Sequence, residues 1–129
     1  MFVDTNILVR HLTGDPPDQA ARVAAYLAET GDLVLPDLIV AEVVYVLESV
    51  YRAPRGLIAQ GLRAVVTFPG IRTIDRELLL RAIEVYEYDR LDFADAYLVA
   101  SAERSGVGTI LSFDRSIDRM PTVRRIEPD

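Results

Sequence analysis

Acidic side chains fall at four separate places in this chain: Asp4, Glu42, the pair Asp92 and Asp95, and Asp114. Asp4 follows the short apolar run Met1-Phe2-Val3 and is followed by Thr5 and Asn6. Glu42 is the only charge between Asp37 and Glu48, inside the apolar run Leu38 to Leu47. Asp114 closes the segment Ser112-Phe113-Asp114, just after Thr109-Ile110-Leu111. Two like charges about 4 Å apart repel by about 4 kcal/mol at an effective dielectric of about 20. Acids gathered into one site therefore need cations to remain ionised. Hard oxygen donors select Mg²⁺, with Mn²⁺ as a substitute. A site of that kind activates water and clamps the oxygens of an in-line phosphoryl displacement. The chemistry this set points to is metal-dependent hydrolysis of a phosphodiester. Thr5, Asn6 and Ser112 are the neighbouring groups that could position water or a phosphate oxygen.

Each acid also has a plainer reading. Asp4 can cap the helix that follows it. Asp92 and Asp95 can cap and stabilise the first turn of another helix, where acids suit the helix dipole. Their i, i+3 spacing puts them on one helix face. Asp95 borders an apolar face of Leu98, Val99 and Ala102, which favours it over Asp92 as a direct ligand. Asp114 can be a turn residue, and Asp118 fits that role better still. Glu42 is the acid with the weakest plain reading. If its apolar neighbours bury it, an unpartnered carboxylate there costs several kcal/mol or loses its charge.

The residue inventory narrows the alternatives. All fourteen basic residues are arginine; there is no lysine and no cysteine, and His11 is the single histidine. Schiff-base chemistry, lysine-dependent phosphate sites, thiol catalysis, disulfides and Cys-ligated zinc are all excluded. His11 reads as a helix residue and neither a ligand nor a base. The net charge of −6 weighs against a nucleic-acid substrate unless arginines form a local patch. Arg52 with Arg55, Arg115 with Arg119, and Arg124 with Arg125 are the candidates. No apolar run is long enough to span a bilayer, and Asp4 interrupts any leader-type start. A cytoplasmic protein without membrane association is expected.

The elements that must position these acids follow from periodicity and breakers. The 129 residues allow one domain, 1–129, with one core. Residues 1–4 read as a short buried strand and 5–12 as a helix stopped at Gly14. A second helix runs from Asp15 or Pro16 to about Glu29, with Ala20, Val23, Ala24 and Leu27 on one face. Leu33–Leu35 reads as a strand. Asp37 is the expected cap of a helix reaching about Tyr51, apolar almost all round and so central or in a subunit interface. Further helices are expected over 54–66, 76–88 and 92–105, with strands at 72–74, 107–112 and 122–126. Short apolar strands alternating with helices predict an α/β/α sandwich with a short-stranded, mainly parallel central sheet. Sites in such folds gather at the carboxyl ends of strands, where Asp4 and Asp114 both lie.

At these residues the chain resembles the PIN-domain family, and most closely the VapC-type ribonuclease toxins of toxin–antitoxin pairs. The similarity runs through Val3-Asp4-Thr5-Asn6-Ile7-Leu8-Val9-Arg10 with Leu12-Thr13-Gly14-Asp15, then Glu42 in its apolar surroundings, then Asp92-Phe93-Ala94-Asp95-Ala96, and finally Ser112-Phe113-Asp114. It covers nearly the whole chain in the family's order. Ser112 stands where threonine is frequent. The resemblance implies a Mg²⁺-dependent endoribonuclease, a homodimer, inhibited by a cognate VapB-type antitoxin. It assigns Asp4, Glu42, Asp95 and Asp114 to the metal, with Asp92 a candidate fifth acid.

Two other readings compete. An aspartyl-phosphate enzyme with Asp4 as nucleophile needs a second Asp two residues on, where Asn6 stands, and a lysine, which is absent. A non-catalytic α/β interaction module, whose acids are only helix caps, does not account for Glu42.

Overall fold

The computed structural model describes residues 1–129. The backbone packs as two compact units, Met1–Arg76 and Glu77–Asp129. Each is described in turn.

In the first unit, the N-terminal segment enters as an extended chain. Phe2 bridges Val34 in parallel, and the Val3 amide donates to the Val34 carbonyl at 3.1 Å. Asp4 then caps α1 (Thr5–Thr13). Gly14 ends the helix with φ of 71°, a left-handed geometry that glycine adopts without steric cost. Helix α2 (Pro17–Glu29) opens on Pro17, whose missing N–H would be unbonded there anyway. Strand β1 (Leu33–Val34) pairs in parallel with β2 (Ile71–Arg72), in the register Leu33 to Ile71 and Val34 to Arg72. The crossover between them holds α3 (Asp37–Ser49) and α4 (Arg55–Val66), as parallel pairing requires. Gly61 on α4 lies where a Cβ would stand 3.2 Å from the side chain of Leu12, so this is a close approach to α1.

In the second unit, α5 (Arg76–Glu84, its first residue in the first unit) runs into a π-helical turn, Val85–Asp89. Arg90, at φ of 59°, stops that turn. Leu91 and Phe93 are both buried and anchor the start of α6 (Phe93–Ser105). The Phe93 ring meets Tyr86 edge-on, with centroids 5.9 Å apart. Arg81 on α5 makes a two-point ion pair with Glu103 on α6, at 2.8 and 3.0 Å. Strand β3 (Thr109–Leu111) pairs in parallel with β4 (Arg124–Ile126), and a 3₁₀ turn, Arg115–Arg119, lies between them.

Six helices with short, wholly parallel strand pairs place the chain in the expected α/β class, PIN-like in its elements. Several local expectations change. The segment 1–4 is not buried as a whole: Val3 is, but Met1 and Phe2 are exposed, because the extended chain alternates its faces. On α2 only Val23 and Leu27 are buried; Ala24 is exposed. The cap of α3 is Pro36, and Asp37 is its first helical residue. That helix is apolar in sequence but one-sided in burial. Val40, Val43, Val44 and Leu47 form the covered stripe, while Leu38 and Tyr45 are exposed. An i, i+3, i+4, i+7 pattern describes one helix face, and composition alone does not say how many faces are covered. Helix 76–88 is α-helical only to Glu84, and the strands at 72–74, 107–112 and 122–126 shorten or shift to the ranges of β2, β3 and β4.

Candidate active site

In the first unit, the extended N-terminal segment delivers Asp4 to the start of α1. Asp4 is exposed, and its Oδ1 accepts from the Thr5 amide at 2.7 Å, so the capping role is real. Thr5 is the one buried polar residue of the chain, 7% exposed. Its hydroxyl donates to Oε2 of Glu42 at 2.8 Å. This bond ties α1 to α3 and holds the Glu42 carboxylate beside the Asp4 element. Asn6 is exposed on the first turn of α1, where its carbonyl accepts from Arg10 at 3.2 Å. Asp4, Thr5, Asn6 and Glu42 line a cleft of about 400 Å³.

Glu42 itself is exposed. The burial cost that singled it out in the sequence is therefore not present. Val40, Val43, Val44 and Leu47 form the buried stripe of α3, and Glu42 lies off it, facing the cleft with solvent access. What distinguishes it is the Thr5 hydroxyl. Two further groups in the same cleft escaped the sequence reading as site residues: Asp15 and Tyr51, whose hydroxyl donates to Asp15 Oδ2 at 3.1 Å. Asp15 stands at the α1–α2 junction, where an Asp-Pro pair signals a turn and nothing more.

In the second unit, Asp92 occupies the cap position of α6, but its side chain makes no capping bond. Its carboxylate remains exposed beside Asp95. Asp95, one turn in, is half-buried. Its carboxyl is raised above the ordinary aspartate range, first by burial, then by its hydrogen bond to the Asp114 carboxylate, and further by the charges of Asp114 and Asp92. Asp114 shifts the opposite way. Hydrogen bonds from the Ser116 hydroxyl and amide hold it below the usual range, and the Asp95 carboxyl adds to them.

The turn that carries Asp114 is built by its own hydroxyl. Ser112 Oγ accepts from the Asp114 amide at 2.9 Å, and Asp114 Oδ1 accepts from the Ser116 amide at 2.9 Å. The Ser112 amide donates to the Ile126 carbonyl at 2.9 Å, and Arg125 donates to the Ser112 carbonyl at 2.8 Å. Arg125 is thus a positioning residue for this turn. In the sequence it looked like half of a basic patch. Instead it is consumed by Asp118, at 2.9 and 3.0 Å, and by Glu127 at 2.6 Å. Arg119 likewise donates to the carbonyls of Asp89 and Arg90 at 3.4 Å.

The sequence therefore has two acid groups, one in each unit, each organised by a hydroxyl and a helix start. Residues 1–123 match the family model of the PIN domain. The chain belongs to the PIN domain family. No curated protein matches it.

PIN domains are generally nucleases and use divalent metal ions, and the donor set of this PIN domain suits such an ion. The donors are hard carboxylate and hydroxyl oxygens, without sulfur or imidazole among them. The Asp114 and Asp92 charges raise the Asp95 carboxyl, and a cation suits carboxylates that crowd one another in this way. No three acidic or histidine side chains already form a cage as they stand. No helix is long and apolar enough to cross a membrane.

Proposed function

We propose that this PIN domain, one nuclease domain over residues 1–129, is a Mg²⁺-dependent endoribonuclease. In this reading Asp4, Glu42, Asp95 and Asp114 hold the metal, Mg²⁺ or Mn²⁺ in its place, and Asp92 is the further acid beside them. A bound divalent ion supplies Lewis acidity, an activated water and charge neutralisation at the phosphoryl group. The chain's own residues do the rest. Thr5 orients the Glu42 carboxylate, the Ser112 turn aims Asp114, and Asn6 offers an exposed amide to a phosphate oxygen. The observation that supports this most is the Asp95–Asp114 pair: the Asp114 and Asp92 charges bear on the half-buried Asp95 carboxyl, and Asp92 makes no capping bond.

The resemblance of the sequence to VapC-type toxins extends the proposal. The protein is then the toxin of a type II toxin–antitoxin pair, a cytoplasmic homodimer silenced by a VapB-type antitoxin. A basic antitoxin segment is expected to cover the acids, because an uncovered carboxylate set attracts cations of any kind. The exposed Leu38 and Tyr45 on α3 support a subunit interface on that helix.

The test is cleavage of mixed-sequence RNA by purified protein with Mn²⁺ or Mg²⁺, against EDTA and against Asp4→Asn. Asparagine caps a helix about as well as aspartate, so the variant keeps its fold while losing a charged ligand. Metal-dependent cleavage that disappears in the variant is expected. Undiminished cleavage by Asp4→Asn would end this reading of the site.

A further inference from the structure

We propose that a second cleft of the first unit, beside Asp4 and Asn6, binds one unpaired nucleotide of single-stranded RNA. The base stacks on Tyr26 and Phe2, and the phosphate is held by Arg10 and Arg22. The proposal rests on the nuclease reading above and names the substrate subsite next to it.

The cleft has a volume of about 650 Å³, within the range of about 300–1,000 Å³ usual for sites that enclose a small molecule. Two aromatic rings stand open along it: Phe2 is 75% exposed and Tyr26 48%. Tyr86 and Phe93, by contrast, are buried in their own unit. The Tyr26 hydroxyl donates to Met1 Sδ at 3.5 Å, which keeps the ring near the N-terminal segment. Open aromatic faces accept any nucleobase, because every base has a π-face.

Two guanidiniums in the cleft lack a carboxylate partner. Arg72, Arg81 and Arg125 are each neutralised by a carboxylate. Arg10 is held only by neutral groups, the Gln19 side-chain oxygen and the Asn6 carbonyl. Its guanidinium is thereby oriented without being neutralised. Arg22 is exposed on α2 and has no partner. Both guanidiniums line the same cleft as the two rings. A chain of net charge −6 repels RNA over most of its surface, so local cations with open partners are where phosphate contact is made. Asp4 and Asn6 belong to the lining as well, which puts the bound nucleotide beside Asp4, one of the acids proposed to cut. A planar base, an adjacent phosphate and an adjacent scissile bond together describe an unpaired strand; a duplex keeps its bases stacked inside.

The test is fluorescence anisotropy with a short labelled single-stranded RNA in EDTA, using wild-type protein, Tyr26→Ala and Arg22→Ala. Circular dichroism confirms that each variant is folded; both positions are solvent-exposed. Tyr26→Ala is expected to weaken binding by about tenfold or more. Arg22→Ala is expected to lower the slope of log affinity against log salt by about 0.7, a change that a merely structural defect does not produce. The wild-type protein is expected to prefer the single strand to a duplex of the same sequence. Binding unmoved by both substitutions, or equal binding of the duplex, overturns the proposal and leaves the cleft to a protein partner. Because this assay contains no metal and reads no cleavage, its failure is distinct from failure of the Asp4→Asn test.

Discussion

Thr5→Val isolates the contribution of one hydroxyl to the acid set. Valine keeps the branched shape at this buried position, 7% exposed, and removes only the donor that reaches Glu42 at 2.8 Å. Hydrogen bonds to a charged group contribute about 1.5–3 kcal/mol. Glu42 is exposed, so water replaces part of the lost bond, and a net loss of about 1 kcal/mol is expected. In a chain of this size that lowers the melting temperature by about 3–5 °C. The larger effect falls on the metal. A group that orients a ligand typically contributes about 10–100-fold in metal affinity or activity. Mn²⁺ titration by calorimetry and RNA cleavage should both weaken within that range in Thr5→Val. Thr5→Ser keeps the donor, loses only a methyl group, and should recover most of both. Wild-type metal affinity and cleavage in Thr5→Val would refute the reasoning. So would a Thr5→Ser variant as weak as the valine one, because packing and not the hydrogen bond would then be responsible.

Three further outcomes are expected. Asp95→Asn removes an acid whose pKa is raised by burial and by Asp114, while its amide still donates to Asp114. A raised acid favours folding at low pH and becomes a cost as pH rises through the ordinary carboxylate range toward its folded value. The metal-free variant should therefore melt above wild type at neutral pH, with the gap narrowing toward about pH 4; a variant that melts below wild type at neutral pH contradicts the assignment. Asp114 has the opposite sign, since its lowered value gives stability at neutral pH that is lost on acidification. Arg81→Ala breaks the two-point pair to Glu103, which also accepts from Thr122. It should cost about 1–3 kcal/mol in urea unfolding, and a change within error would show that Glu103 is satisfied by solvent. Saturating Mn²⁺, at about 100 times its dissociation constant, should stabilise the protein by about 2.7 kcal/mol; a melting temperature indifferent to Mn²⁺ and Mg²⁺ favours the interaction module over the enzyme.

Much of this was legible in the residues themselves. The absence of lysine and cysteine and the near absence of histidine excluded whole reaction classes without any coordinates, since chemistry needs its functional groups to be present. The alternation of breakers, short apolar runs and amphipathic stretches gave the helix order and the α/β class, because caps, glycines and prolines act locally. The four acid elements were visible as a spaced pattern, and Asp114 was correctly read as following a strand, whereas Asp4 follows an extended segment that forms only a single bridge. Tertiary structure decided what the neighbours do. Glu42 looked buried because its sequence neighbours are apolar, yet only the stripe Val40, Val43, Val44 and Leu47 is covered and Glu42 lies off it. Arg125 looked free, yet it bonds Asp118, Glu127 and the Ser112 carbonyl. Asp15 read only as a candidate helix start, yet it shares a cleft with Asp4 and Glu42. The partnership of Thr5 with Glu42 joins residues thirty-seven positions apart, and no local rule encodes it. Periodicity sets which residues can share a face; only the packing of one element on another sets which face is covered and which charge finds a partner.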